Sequence, residues 1–170
     1  MGLLGRLLGR DDEREPLRPL YGWVVHTARE PHWYLDGAVP DTIDGRFDMV
    51  AAVLSVALLR LEREPGTDVA SARLTELFVE DMDGQLRQLG IGDIVVGKHI
   101  GKMMGALGGR LGAYRDVSAP EALNEAIRRN IYRGAPADPA SEAHVAQEMT
   151  ALTDRLANTR IDAVLAGDIA

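Results

Sequence analysis

The chain has 170 residues, 46% of them hydrophobic and 26% charged, with a formal net charge of −7 and no cysteine. That length supplies one sizeable core and too little for two, and the missing cysteine excludes disulfides, thiolate metal sites and cysteine nucleophiles. The acid excess argues against a nucleic-acid wrapper, so no DNA partner is expected. The longest uncharged apolar run, Met49 to Leu59, is well short of the roughly 18–20 residues that span a bilayer, so a soluble protein is expected.

The opening stretch, MGLLGRLLGR, pairs leucines with arginines but lacks the long apolar centre of a secretory signal, and Arg6 breaks the myristoylation pattern. Residues 1–15 are expected to be a flexible tail whose basic, leucine-rich end is suited to an anionic membrane surface. A first helix is expected from about Pro16 to Arg29, stopping before Pro31. AREPHWY, residues 28–34, closes it with Trp33 and Tyr34, which are read as core residues. A second helix follows the capping residues Asp41 and Thr42 and reaches about Glu64, with Phe47, Val50, Val53, Leu54, Ala57, Leu58 and Leu61 on one face; Pro65 and Gly66 end it.

The third helix is expected from about Thr67 to Leu89, closed by Gly90. Leu74, Phe78, Met82, Leu86 and Leu89 share its inner face, and Glu76, Glu80, Asp83 and Arg87 the outer one. Asp81 projects near the inner side, where a carboxylate needs a partner. A fourth helix runs from Asp93 to about Arg115, a fifth from about Pro120 to Tyr132, and a last from Pro139 to Leu165 after the loop GAPADP. The fold class expected is therefore all-α, a single-domain orthogonal bundle of about six helices over residues 16–166, with a C-terminal tail at 167–170.

GIGDIVVGKH, residues 90–99, falls one residue short of a phosphate-binding loop: from Gly92 it reads G, four residues, G, K, and then His99 in place of Ser or Thr. What precedes it is helical in period rather than a strand, and His99 has no hydroxyl for magnesium. The glycines instead turn the chain, with Asp93 capping the next helix. Within that helix Gly97, Gly101, Gly105, Gly108, Gly109 and Gly112 fall in a sector of about 120° at about 100° per residue. Each costs about 0.8–1 kcal/mol against alanine, which implies that close packing offsets it. The strip suits either the protein's own core or a foreign helix; Met103 and Met104 adapt to varied shapes beside it. Lys98, His99, Lys102 and Arg110 form a third sector.

Between Ile94 and Arg115 there are four Lys or Arg and no acid, whereas Glu76 to Asp83 holds four acids and no base. Two readings follow: the neighbouring helices neutralise one another, or one or both charges meet a partner. The four histidines, His26, His32, His99 and His144, show no ligand spacing, and Glu80, Asp81 and Asp83 diverge around their helix. No catalytic residue, metal site or cofactor is expected.

Two segments carry a resemblance. AREPHWYLDGAVPDTIDGRFDM, residues 28–49, and ELFVEDMDGQLRQLGIGDIVVGKHIGKM, residues 76–103, continued by GRLGAY at 109–114, resemble the ubiquinol–cytochrome c chaperone family, assembly factors for the cytochrome bc1 complex. The likeness covers roughly residues 16–133. It implies an all-α, non-enzymatic protein that binds newly made cytochrome b or another bc1 subunit. In mitochondria it acts with a small helical co-chaperone, near the ribosomal exit. A bacterial chain would work in the cytoplasm with peripheral contact at the cytoplasmic face of the inner membrane, a eukaryotic one on the matrix side.

On the matched motifs and the faces of the fourth helix, the expected client surface is Asp81, Asp83 and Arg87 with Gly92, Asp93, Gly97, Lys98, Gly101, Lys102, Met104 and Gly105. The alternative is a helical adaptor that binds a soluble partner through the charged helix faces.

Overall fold

The computed structural model describes residues 13–88, 90, 92–115 and 120–170. Among them every regular element is helical. A 3-10 turn (Glu15–Leu17) leads into α1 (Arg18–Ala28), followed by α2 (Pro31–Leu35), α3 (Ile43–Glu62), α4 (Asp68–Gln88), α5 (Asp93–Arg115), α6 (Pro120–Asn130), α7 (Pro139–Asn158) and α8 (Ile161–Leu165). The all-α fold with six long helices is as expected; the two five-residue helices α2 and α8 are additions.

α3 is the axis of the molecule. Thr42 Oγ1 accepts from the Gly45 amide at 3.1 Å, satisfying an orphan donor at its N-terminus. From Met49 to Leu59 every residue is buried, so the helix is wrapped on all sides, by α1, α4, α5 and α7. A run of alanine, valine and leucine with one serine can meet neighbours on every side only because it leaves no polar side chain unsatisfied. Ser55 Oγ donates to the Ala51 carbonyl at 2.6 Å.

α2 shows how a short helix serves as a plug. Trp33 is fully buried, and its indole N–H donates to the Thr27 carbonyl at 2.8 Å, so the large apolar ring enters the core with its polar edge paired. Tyr34, half-buried, donates its hydroxyl to the Ala28 carbonyl at 2.9 Å.

The last helix departs from expectation. The stretch expected to run unbroken from Pro139 to Leu165 ends at Asn158, because Thr159 and Arg160 adopt extended backbone (ψ 135° and 145°). Arg60 of α3 receives that end: its Nε donates to the Leu156 carbonyl at 3.0 Å and its Nη2 to the Thr159 carbonyl at 3.3 Å, satisfying carbonyls left over where the helix stops. The chain then turns back, and Val164 is buried.

Residues 167–170, expected as a tail, are packed. Gly167 takes a φ of +69° against the Pro19 carbonyl, and Ile169 is buried with the core. At the other end, the described residues of the expected tail 1–15 are held: Glu13 pairs with Arg73, Arg14 with Glu80, and Glu15 opens the 3-10 turn. Residues 1–12 lie outside the described residues.

Candidate functional site

The residues read as a client surface divide between α4 and α5. On α4, Asp81 is half-buried and doubly held: the Tyr21 hydroxyl donates to Oδ2 at 2.8 Å and Gln85 Nε2 to Oδ1 at 3.0 Å. This is the partner its inward position required. Burial pushes the Tyr21 phenol far above its usual range, and the bond to Asp81 adds to the shift. Asp83 and Arg87 form an i, i+4 pair at 2.7 Å on the helix surface. Glu76 pairs with Arg73 one turn earlier, and Glu80 with Arg14 and Arg18. The acids of α4 are therefore matched by α4 itself, α1 and the segment before it. α4 and α5 also pack together. The acids Glu76, Glu80 and Asp83 of α4 thus have partners outside α5.

α5 begins at Asp93, whose side chain is outside the described residues. Gly90, with φ +76°, makes the turn, and the Gly92 carbonyl accepts from the Val95 and Val96 amides to start the helix. The core side is Val96, Leu107 and Tyr114, buried, with Ile100, Met103, Met104 and Leu111 packed partly against them. Met104 thus leans toward the core and flanks the open face instead of standing on it.

The glycines do the opposite. A Cβ built on Gly97, Gly101, Gly105, Gly108, Gly109 or Gly112 meets no atom within 4 Å. Gly97, Gly101, Gly105, Gly108 and Gly109 are exposed and Gly112 half-exposed. Among the described residues, the strip does not pack against the protein's own core, one of the two uses open at the sequence level. Beside the strip, Lys98 and Lys102 are exposed and join no ion pair among the described residues. Val95, 48% exposed near the N-terminal end of the helix, was missed by the sequence reading and belongs to the outer surface too. Gly97, Lys98, Gly101, Lys102 and Gly105 are therefore brought together on one open face, with Gly92 exposed at its start.

Arg110 is a correction. The helical wheel put it with Lys98, His99 and Lys102, but it lies about 80° round the helix from Lys102, far enough to point inward. It is buried, and its Nη2 donates to Asp48 Oδ1 at 2.5 Å and to the Asn130 carbonyl at 3.0 Å, with its guanidinium 5.7 Å from the Phe47 ring centre. Asp48 is buried too and also accepts from Arg133 Nε at 2.6 Å. Burial pushes the Asp48 carboxyl up, and the hydrogen bond from Arg133 with the charges of both guanidiniums pulls it back. Parts of the stretch VPDTIDGRFD therefore secure α3 and tie α5 to it, while Asp41, Ile43, Asp44 and Arg46 stay exposed: Gly45 approaches the Pro40 carbonyl too closely for any side chain, Thr42 caps the helix, and Asp48 takes Arg110.

A second concavity, of about 800 Å³, opens between α3, α5, α6 and α7, with Val56, Leu59, Tyr114, Leu123, Ala146 and Met149 among its walls. It lies at the far end of α5 from Lys98. Sequence offered no sign of it, because its walls come from four separated segments.

Two comparisons bear on what such a surface is for. A family model described as ubiquinol-cytochrome C chaperone matches residues 35–170. The crystal structure of the Cbp3 homolog from Brucella abortus superposes with a TM-score of 0.79 at 30% sequence identity, covering 99% of this chain and 96% of that one. No curated protein sequence matches. Among the described residues no helix is long and apolar enough to cross a membrane.

Proposed function

The chain belongs to the ubiquinol–cytochrome c chaperone family, and from that premise we propose that the open face of α5 receives an apolar helix of newly made cytochrome b while the bc1 complex is assembled. Assembly chaperoning of bc1 is what the family does. The client, the face it uses and the cellular setting are the parts proposed.

One observation carries the reading: six glycines in one helix point away from the described core, and no described residue packs against them. Each exposed glycine destabilises a helix by about 0.8–1 kcal/mol relative to alanine, so the strip weakens the free protein. A helix without side chains lets a partner's backbone approach closely, and Gly97, Gly101, Gly105 and Gly109 repeat at the four-residue spacing that lines such contacts up along one ridge. Lys98 and Lys102 at its border supply positive charge for acidic residues flanking a client helix.

We place the protein at the cytoplasmic face of the inner membrane, where a nascent membrane subunit emerges, with a small helical co-chaperone as a further partner. The rival reading, an adaptor using both charged helices, loses half its surface because the α4 acids are already paired. No chemistry is assigned to the face.

The test is the double substitution Gly101→Leu/Gly105→Leu in a strain lacking the native gene. Leucine is a better helix former than glycine, so the thermal midpoint should hold or rise, while the bulk closes the ridge. Cytochrome b and bc1 activity should fall toward the deletion strain, and a photo-crosslinker at position 102 should cease to capture cytochrome b. Normal bc1 levels with an intact crosslink would overturn the proposal.

A further inference from the structure

His32 and His144, 112 positions apart in sequence, meet across the contact between α2 and α7, with His32 Nδ1 3.0 Å from His144 Nε2. Their rings are set edge-on at 75° with centres 5.2 Å apart, so they face each other nitrogen to nitrogen without stacking. Gly37 makes the approach feasible: a Cβ there would meet Val145 Cγ2 at 2.7 Å and the Trp33 carbonyl at 2.5 Å, so only glycine lets α7 come this near to α2. On the far side of His32, Glu30 Oε2 lies 3.0 Å from Nε2. A carboxylate there holds the proton on Nε2 and leaves the Nδ1 lone pair facing His144.

We propose that this pair is a binding site for a divalent transition-metal ion of the zinc, nickel or copper class, clipping α2 to α7. Two imidazoles bound to one ion at about 2.0–2.1 Å, about 90–110° apart, place their nitrogens roughly 2.8–3.4 Å from each other, which spans the observed separation. The carboxylate–imidazole relay from Glu30 is the arrangement that fixes ligand tautomer and raises basicity in metal sites.

Protons balance without an external acid or base. In the metal-free state neutral His144 donates Nε2–H to His32 Nδ1; on metal binding it carries that proton on Nδ1, and both imidazoles ligate neutral. His32 is 26% exposed at its side chain, so solvent water can complete the coordination. Among the described residues no cluster of three or more ligating side chains is present, so the affinity is that of a two-imidazole chelate. Magnesium, which prefers oxygen ligands, is excluded by the donor set.

The site is separate from the α5 face and stands or falls without it. It is tested on the purified full chain, stripped with chelator and titrated calorimetrically with zinc chloride and nickel chloride, with magnesium chloride as control. The expected result is saturation at one equivalent and a midpoint rise of roughly 5–10 °C at a hundred-fold excess over Kd. Binding should be lost in His144→Ala and unaffected in His26→Ala/His99→Ala.

Glu30→Gln, which leaves both ligands in place, should weaken binding about 10- to 100-fold. Should His144→Ala misfold, His144→Gln keeps a hydrogen-bond donor and still removes the ligand. With copper, the electron paramagnetic resonance spectrum should show coupling to two imidazole nitrogens. No binding at millimolar zinc, or binding that survives in His144→Gln, would overturn the site and leave an ordinary hydrogen bond between histidines.

Discussion

α3 and α5 are both long helices, of 20 and 23 residues, that lie against each other, yet they use small residues in opposite ways. In α3 the small residues face inward: Ala51, Ala52 and Ala57 are fully buried, and Gly45 touches the Pro40 carbonyl. In α5 the glycines face outward and meet no other described residue. Packing within the chain accounts for the composition of α3 and leaves that of α5 unexplained, which is why the partner is sought on α5.

The sharpest way to break the comparison is to cut what fixes α5 to α3. Asp48→Ala leaves Arg110 buried beside a carbonyl with no carboxylate, and removing one member of a buried pair costs about 3–5 kcal/mol. Chemical denaturation should show a loss of that size, and the double variant Asp48→Leu/Arg110→Met should recover most of it, since an apolar pair needs no compensation. If Asp48→Ala is within experimental error of the parent, the link between the two helices lies elsewhere.

A smaller effect, with opposite signs in the two helices, comes from adding one methyl group. Gly45→Ala forces the α3 start away from Pro40 and should destabilise by about 1–3 kcal/mol, the usual range for overpacking. Gly101→Ala adds its methyl to empty space and should stabilise by about 0.8–1 kcal/mol. Thermal melts of both variants decide it; destabilisation by Gly101→Ala would mean that the α5 face is covered.

These cases show where the sequence is legible. The core face of α3 could be read because Leu54, Ala57, Leu58 and Leu61 repeat at helical spacing, and burial follows spacing. The glycine strip was legible as a strip and not as a surface, since a helical wheel gives relative angles without saying which sector meets solvent. Arg110 misled for the same reason: its charge suggested water, while its partner Asp48 lies 62 positions away. The break at Thr159 carries no glycine or proline and depends on Arg60, nearly a hundred positions earlier in sequence. His32 and His144 are invisible to any reading of local spacing. What local periodicity determines was recoverable, and what long-range pairing determines was not.

The smallest expected effect concerns pH. Tyr132 is buried and donates its hydroxyl to the Gly37 carbonyl at 2.6 Å; burial, aided by Glu142, pushes its phenol up from 10.0 to about 12. Above pH 10 the unfolded chain sheds this proton while the folded chain keeps it, so the folded state binds more protons and stability falls as pH rises. The contribution is whole below pH 10 and lost by about pH 12. Tyr132→Phe should flatten part of that decline, leaving the share due to Tyr21, Tyr34 and Tyr114, whose phenols burial also raises. It should also cost about 0.5–1.5 kcal/mol at neutral pH for the missing hydrogen bond. Urea midpoints at pH 8, 10 and 11 measure both. Gly101→Ala, which touches no tyrosine, should shift the whole curve upward without changing its slope. A changed slope there would tie the outer face of α5 to the buried phenols and remove the contrast between the two helices.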